Sequence, residues 1–185
     1  NIVDKMKSNK KNVENIDIDY DNFNKSLIYI NNLISDEEKS ENTNLNSNSG
    51  EIRGVMQESM QKYASVYKSE DLLQKGFDII KDLTTKNITI RDKNIVWNTD
   101  LIEALELRNM ISLAYVTVSA SLFREESRGS HYRYDFPTRN DEKWMYHTLT
   151  YLDENNKIIN TKCDVNSQSL YPQEMEPVPP AQRVY

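Results

Sequence analysis

Side chains capable of chemistry are most concentrated in one short segment, residues 124–135. It carries guanidinium groups at Arg124, Arg128 and Arg133, an imidazole at His131, and several carboxylates between them. Arginine binds carboxylates and phosphates through paired, charge-assisted hydrogen bonds, and histidine changes its charge near neutral pH. The residues alone leave two interpretations open. The segment is either a charge-paired helix end or a site where cationic groups meet an anionic ligand or cofactor.

The same segment is expected to lie where a long helix ends. Gly129 fits the position after a helix C-terminus that requires a positive φ. Arg128 and His131 would interact favourably there with the negative end of the helix dipole.

The chain offers no self-sufficient cofactor or metal site in its sequence. Its four glycines are scattered, so neither a dinucleotide fingerprint nor a phosphate-binding loop is present. Two histidines and the single Cys163 do not suffice for a typical zinc site, and one cysteine cannot form an internal disulfide. We therefore expect no metal ligands in this chain.

Composition narrows the class of protein further. The 185 residues include 23 Lys and Arg against 29 Asp and Glu, a net charge of −6, and 37% are hydrophobic. A negative chain is a poor nucleic-acid binder, because phosphate neutralisation needs clustered cations, so we expect no nucleic acid as partner. No apolar run of about 20 residues, the length that spans a bilayer, is present. The length suits one domain with a real core and some unpacked extension.

Three amphipathic helices are predicted between residues 51 and 125. Apolar residues recur at helical spacing from Glu51 to Tyr67, and Ser69 is a good N-cap for a second helix. Asn98 or Thr99 caps the third and longest helix, which runs from Leu101 to about Glu125 without Gly or Pro. Short connections between them predict an up-down-up bundle.

The fold class that follows is mainly α, a three-helix bundle followed by a small β-hairpin and an extended Pro-rich C-terminal tail. Alternating residues from His147 to Leu152 and a partner run from Lys157 to Cys163 predict the hairpin. We divide the chain into a polar lead with one short helix (1–49), a helical bundle (50–128) and a C-terminal extension (129–185). Trp97 and Trp144 are expected to be packing anchors.

Five blocks, taken in order, resemble the flavoprotein subunits of succinate dehydrogenase and fumarate reductase from about Glu51 to the end of the chain. The most specific is Glu-Ser-Arg-Gly-Ser-His-x-Arg-x-Asp-Phe at 126–136. The others are Met-Gln-x-x-Met-Gln at 56–61, Val-Trp-Asn-Thr-Asp-Leu-Ile-Glu at 96–103, Trp-Met-Tyr-His-Thr-Leu at 144–149 and Val-Pro-Pro-Ala-Gln-Arg-Val-Tyr at 178–185. The last two blocks favour succinate dehydrogenase over L-aspartate oxidase.

The resemblance implies a part without catalytic residues of its own. In this family the FAD-binding fold, the flavin-linked histidine and the dicarboxylate-binding residues precede the matching region. The chain would then be the C-terminal piece of a flavoprotein, encoded separately or a fragment. It would brace the FAD-binding domain, carried on a separate chain, for oxidation of succinate to fumarate. Its further implied partners are an iron–sulfur subunit and, indirectly, membrane anchor subunits.

Matching positions also imply which residues contact FAD, which is bound mainly by the N-terminal part. Arg128 would stabilise negative charge at the pyrimidine side of the reduced flavin, with Arg183 and His131 as further contacts. The alternatives are that Arg128 only pairs with Glu125 or another nearby acid and that His131 is structural. The whole chain would then be a non-catalytic assembly module. A further alternative is that the chain is the corresponding part of a fumarate reductase or of an L-aspartate oxidase. The implied location is the matrix side of the mitochondrial inner membrane or, alternatively, the cytoplasmic side of a bacterial inner membrane.

Overall fold

Residues 20–35, 46–171 and 173–181 are described by the structure, a computed structural model. Helices dominate this part of the chain, as predicted: α1 Tyr20–Ile34, α2 Ser49–Tyr63, α3 Glu70–Thr85, α4 Thr99–Phe123 and the short α5 Asp141–Trp144. The predictions for residues 1–19 and 36–45 lie outside the described residues.

Six short strands form three two-stranded sheets in the described residues: β1 Asn46–Asn48, β2 Tyr67–Lys68, β3 Asn87–Thr89, β4 Tyr132–Arg133, β5 Tyr146–Leu152 and β6 Ile158–Asp164. Strands β5 and β6 form the predicted antiparallel hairpin, with Tyr146 opposite Asp164 and Leu152 opposite Ile158. The pairs β1–β3 and β2–β4 are parallel.

Helices α2, α3 and α4 pack against one another in all three pairings, which confirms the three-helix bundle. The buried apolar side chains that form their common core are Ile52, Met56, Ile80, Leu83, Leu107, Ile111, Ala114 and Tyr115. Burying one such Leu or Ile side chain contributes roughly 1.5–3 kcal/mol. At Gly76 a Cβ would lie 2.9 Å from the Cβ of Tyr63, so glycine permits the close approach of α3 to the end of α2.

Polar caps fix where the bundle helices begin. The side chains of Asn48, Ser69 and Asn98 accept backbone hydrogen bonds from the third residue after each of them. These bonds satisfy amide groups that have no partner inside a helix. Ser69 and Asn98 were both predicted as caps from the sequence.

The first helix of the bundle is shorter than the helical spacing of apolar residues from Glu51 to Tyr67 predicts. Helix α2 ends at Tyr63, because Tyr67 and Lys68 pair in parallel with Tyr132 and Arg133 instead. The short helix predicted in the polar lead is present as α1. Its buried residue Leu33 belongs to a second apolar cluster, with Ile90, Leu101 and Ala104.

The long helix α4 ends before Gly129, so the predicted role of this glycine is wrong. The helix ends at Phe123, and the guanidinium of the next residue, Arg124, donates a hydrogen bond to the Tyr146 carbonyl in the hairpin. Gly129 does have a positive φ of 59°. It lies instead in a tight turn, closed by hydrogen bonds in both directions between the backbones of Arg128 and His131.

The two tryptophans differ sharply in exposure. Trp144 is 7% exposed and packs edge-on against Phe123, as expected of an anchor. Trp97 is 95% exposed, so its prediction as a packing anchor within this chain is wrong. The reason is its position at the tip of a loop that precedes α4.

The described part of the tail after β6 is largely exposed and has little regular structure. It forms one turn, in which the amides of Glu174 and Met175 donate to the carbonyl of Tyr171. Among the described helices, none combines the length and the apolar character that crossing a bilayer requires.

Candidate functional site

Glu126 is the centre of the candidate site and is fully buried, with 0% of its side chain exposed. Its carboxylate accepts hydrogen bonds from Nε of Arg124 at 3.0 Å, from Nε of Arg128 at 2.6 Å and from the backbone amide of Asn140 at 2.8 Å. Burial opposes its ionisation, but the bonds from Arg128, Asn140 and Arg124 outweigh this and lower the pKa of Glu126. The site is therefore built around a buried, ionised carboxylate.

Arg124 connects this carboxylate to the hairpin. Its guanidinium donates from Nη2 to the Trp144 carbonyl at 2.6 Å and from Nη1 to the Tyr146 carbonyl at 3.0 Å and the Thr148 hydroxyl at 2.9 Å. Arg124 is the first residue after α4, so these bonds join the end of the long helix to the beginning of β5.

Arg128 is held on two sides by carboxylates. Its Nε and Nη2 contact both oxygens of Glu126, and Nη2 also donates to Oδ1 of Asp141 at 2.6 Å. The hydrogen bond to Glu126 is the main cause that raises the pKa of Arg128, so the guanidinium stays charged. Its acidic partners are Glu126 and Asp141 rather than Glu125. Among the described residues, its Nη1 has no hydrogen-bond partner.

An open groove of about 400 Å³ lies beside this cluster. It is lined by two guanidinium-bearing residues and by residues around the start of β5: Arg124, Arg128, Trp144, Met145, Tyr146, His147, Thr148 and Val165. No acid contributes to the lining in the part of the chain that the structure describes. Paired guanidinium groups beside aromatic rings suit one edge of a planar anionic group.

The fit of a flavin to these residues is partial. Tyr146 lines the groove and has a buried hydroxyl that lacks a hydrogen-bond partner within the described chain. The groove has no glycine-rich backbone to receive a pyrophosphate, since the glycines are scattered. The described residues can therefore contact one edge of a flavin ring, while the remainder of the cofactor needs another binding surface.

His131 lies beside the cluster and holds the backbone at the end of α4. Its Nε2 lies 3.1 Å from the carbonyl of Arg124 and must carry the proton, because a carbonyl only accepts. Burial is the largest cause that lowers the pKa of His131, and the positive charges of Lys68, Arg133 and Arg124 lower it further. His131 thus fixes the backbone at Arg124 and is uncharged at neutral pH.

Arg133 and Asp135 form a second ion pair that joins two helix ends. Arg133 is 1% exposed and donates from Nε and Nη2 to both oxygens of Asp135, at 2.7 and 2.6 Å. Its Nη1 donates to the carbonyls of Ser121 and Leu122 in the last turn of α4, and Asp135 accepts from the first amide of α3, Glu70. Arg133 therefore contacts carbonyls in the last turn of α4, and His131 contacts the carbonyl of the next residue, Arg124. Arg128 donates to carboxylates instead.

Sequence reasoning did not single out Glu126, Arg133 or Asp135 as structural centres. One signal was available, because residues two apart in an extended segment project to the same face, which pairs Arg133 with Asp135. No comparable signal marks Glu126 as buried, since Glu125 beside it is an equal candidate in the sequence.

The tail reaches the same cluster at its last described residue. Nη1 of Arg139 donates to the carbonyl of Ala181 at 3.1 Å, and Nη2 of Arg139 pairs with Asp141. Arg183 lies outside the described residues. Within the described ranges, no group of three or more His, Cys, Asp or Glu could hold a metal ion.

Comparison with known proteins gives a consistent result. Residues 53–185 match the protein family described as "Fumarate reductase flavoprotein C-term". The chain is 40% identical over 155 residues to the succinate dehydrogenase flavoprotein subunit of Rickettsia bellii, covering 83% of this chain and 26% of that protein. It is 37% identical over 150 residues to the mitochondrial succinate dehydrogenase [ubiquinone] flavoprotein subunit of Oryza sativa, covering 80% of this chain and 24% of that protein.

A solved structure shares the fold as well. The chain is similar to the FrdA chain of E. coli quinol fumarate reductase, with a TM-score of 0.73 and 26% identity, over 90% of this chain and 26% of that one. The chain thus spans about a quarter of the length of the relatives it matches.

Proposed function

Because the chain belongs to the fumarate reductase flavoprotein C-terminal family, we propose that it is the C-terminal part of a succinate dehydrogenase flavoprotein subunit. In this role it braces the FAD-binding part of respiratory complex II during oxidation of succinate to fumarate. The similarity to succinate dehydrogenase flavoproteins of a bacterium and a plant supports this branch.

The observation that carries the proposal is the cluster around Glu126. It fixes two guanidinium groups at the edge of an open groove, and it joins the end of α4 to the hairpin. Both guanidinium groups keep their direction, because each is bound to a buried carboxylate. A rigid cationic edge of this kind suits a ring on which negative charge develops.

Arg128 is the proposed contact to the flavin, with Arg183 as the second and His131 as the third. A bound flavin supplies the acceptor for the electrons of succinate. Arg128 holds a fixed positive charge, and Glu126 and Asp141 prevent it from reorienting. His131 keeps the neighbouring backbone in place as a neutral donor.

Substitution of Arg128 in the assembled complex tests this role. We expect Arg128→Ala to lower flavin retention and to reduce succinate turnover about 100- to 1000-fold, as loss of a preorganised electrostatic contact does. Arg128→Lys should not rescue it, because an ammonium cannot make the paired contacts of a planar guanidinium. Arg139→Ala is the matched control, since Arg139 shares Asp141 with Arg128 but does not line the groove. Normal flavin content and turnover in Arg128→Ala would contradict the proposed contact.

A second function, a non-catalytic assembly module, is favoured by one observation. Two nitrogens of Arg128 are already bound to Glu126, as in an ordinary structural ion pair. Under this alternative, Arg128→Ala lowers the stability of the complex, while each remaining assembled complex has full flavin and full turnover.

The proposed partners are the FAD-binding part of the flavoprotein on a separate chain, an iron–sulfur subunit and, indirectly, membrane anchor subunits. The proposed location is the matrix side of the mitochondrial inner membrane, with the cytoplasmic side of a bacterial inner membrane as the alternative. Mass-spectrometric identification of all chains that purify with this one tests the proposed partners. Purification without any flavin-bearing chain would contradict them.

A further inference from the structure

An exposed apolar loop precedes α4. Ile95 is 77% exposed, Val96 is 71% exposed and Trp97 is 95% exposed. Three consecutive large apolar residues in solvent are unfavourable, and such patches in folded proteins mark contact surfaces. Nothing in the proposed role of Arg128 uses this loop.

The loop is held rigidly at its base. Asn98 is 3% exposed, and its side-chain amide donates to the carbonyls of Asp92 at 2.7 Å and Asn94 at 2.8 Å. Its Oδ1 accepts from the amide of Leu101 at 2.8 Å, so one side chain fastens the loop to the first turn of α4. The loop is therefore tied to the first turn of α4 directly beside Trp97.

The backbone at the tip is strained. Trp97 has a φ of 58°, in the left-handed region that bulky residues rarely adopt. Strained residues persist where the surroundings fix them, and they concentrate at ligand clamps and other functional positions. The residue in this conformation is also almost fully exposed to solvent.

Helix α4 has further apolar residues on its exposed side. Ile102 is 55% exposed and Leu113 is 64% exposed. They are eleven residues apart, which is about three helical turns, so they lie on the same face. The helix has apolar residues around its whole circumference, a pattern typical of helices that are buried on all sides.

We propose that the segment Ile95-Val96-Trp97 is the anchor by which this chain docks onto the FAD-bearing part of the same flavoprotein, with Trp97 inserted into an apolar pocket there. This inference rests on the proposed function. The exposed side of α4, with Ile102 and Leu113, continues the same contact.

The FAD-bearing part is the fitting occupant for two reasons. The chain spans only 26% of the length of its relative from Rickettsia bellii, so a much larger body remains to cover its exposed apolar surface. A second copy of the chain is a poorer occupant, because two copies with a net charge of −6 each repel one another.

The rigidity of the loop also fits a docking role. A loop whose backbone is already held in place loses less entropy on binding, and tryptophans at the centre of an interface dominate its binding energy. Truncation of such a residue typically weakens association tenfold or more.

The test is performed on the assembled flavoprotein, with this chain tagged and co-produced with its FAD-bearing partner. We expect at least tenfold less partner to be recovered with Trp97→Ser than with the unmodified chain. Val66→Ser is the matched control, because Val66 is 63% exposed but lies outside the loop and α4, and it should change recovery less than twofold. Oxidative footprinting of the assembled complex should show Trp97 protected from modification.

Each other outcome has a clear meaning. Equal recovery with Trp97→Ser, or full oxidation of Trp97 in a complex that contains the partner, overturns the docking proposal while leaving the proposed function intact. Failure of the unmodified chain to recover any FAD-bearing protein counts against the proposed function itself. A Trp97-dependent dimer of this chain would show that a second copy is the occupant and would also overturn the proposal.

Discussion

The two ends of helix α4 differ in the burial of their side chains, and at each end the burial is the reverse of what the residue types predict. At its C-terminal end, the charged residues Glu126 and Arg133 are almost completely buried. At its N-terminal end, the apolar residue Trp97 is almost completely exposed. At the first end, the buried charges find their partners within the chain. The second end is incomplete, because its apolar surface has none.

This difference separates what stabilises the chain from what the chain offers to a partner. A buried charge that is paired and hydrogen-bonded is essential to its own fold, since removing one partner leaves the other uncompensated. An exposed side chain contributes little to the stability of the chain that carries it. Substitutions at the two ends should therefore affect different measurements.

The largest expected effect follows from Glu126→Ala. The substitution leaves the guanidinium groups of Arg124 and Arg128 without their shared carboxylate, which should cost about 3–5 kcal/mol of unfolding free energy. Denaturant-induced unfolding measures this loss. Glu125→Ala is the control in the neighbouring position and should change the stability by less than about 0.5 kcal/mol. Equal losses of unfolding free energy in the two variants would show that the buried Glu126 pairing does not stabilise the C-terminal end of α4.

Arg133→Lys should have a smaller effect at the same end. Lysine keeps the charge but loses the fork that binds both oxygens of Asp135 and two carbonyls of α4. We expect a loss of about 1–3 kcal/mol in thermal or denaturant unfolding, since Arg133 is buried. Unchanged stability would show that the geometry of this contact is unimportant.

Acid should weaken the same contact. The hydrogen bonds from Arg133 are the main cause that lowers the pKa of Asp135 from 3.8 to about 2. A carboxylate with a lowered pKa stabilises the fold above its unfolded pKa, and this contribution is lost as the pH falls from about 4 to about 2. The expected loss is on the order of 1–2 kcal/mol, because Asp135 is partly exposed. Unfolding curves across this pH range measure it, and Asp135→Asn should remove this part of the pH dependence.

The smallest effect is expected at the other end, from Trp97→Gly. Glycine relieves the strain of the positive φ, and little packing is lost, so the isolated chain should be unchanged or more stable by up to about 1 kcal/mol. Trp144→Ala, at a residue that is 7% exposed, should instead cost about 3–5 kcal/mol. Comparable destabilisation by both substitutions in denaturant unfolding would show that Trp97 packs within the chain.

The sequence predicted the larger elements of the fold because their signals are local. The spacing of apolar residues and the caps Ser69 and Asn98 were sufficient to locate α3 and α4. The alternation of polar and apolar residues before the turn at Asn155 and Asn156 was sufficient to predict the hairpin. Helix ends were less predictable, because the end of α2 depends on the pairing of Tyr67 with Tyr132, far along the chain.

The site was predictable as a segment but not as a geometry. Residues 124–135 were predicted as the segment with the most charged and titratable side chains, and Arg128 does pair with acids, Glu126 and Asp141. The sequence could not show that Glu126 rather than Glu125 is buried, or that Asp141 approaches Arg128 from thirteen residues away. Both depend on how the chain turns after α4 ends at Phe123. The exposure of Trp97 was missed for a similar reason, since large apolar residues are usually buried.

The central claim is that this chain is one part of a succinate-oxidising flavoprotein. The most direct measurement is the absorbance spectrum of the complex captured through a tag on this chain, before and after succinate is added. The account predicts a stoichiometric flavin whose absorbance bleaches with succinate. A folded chain that is captured alone, or a captured complex whose spectrum shows no flavin, would contradict it.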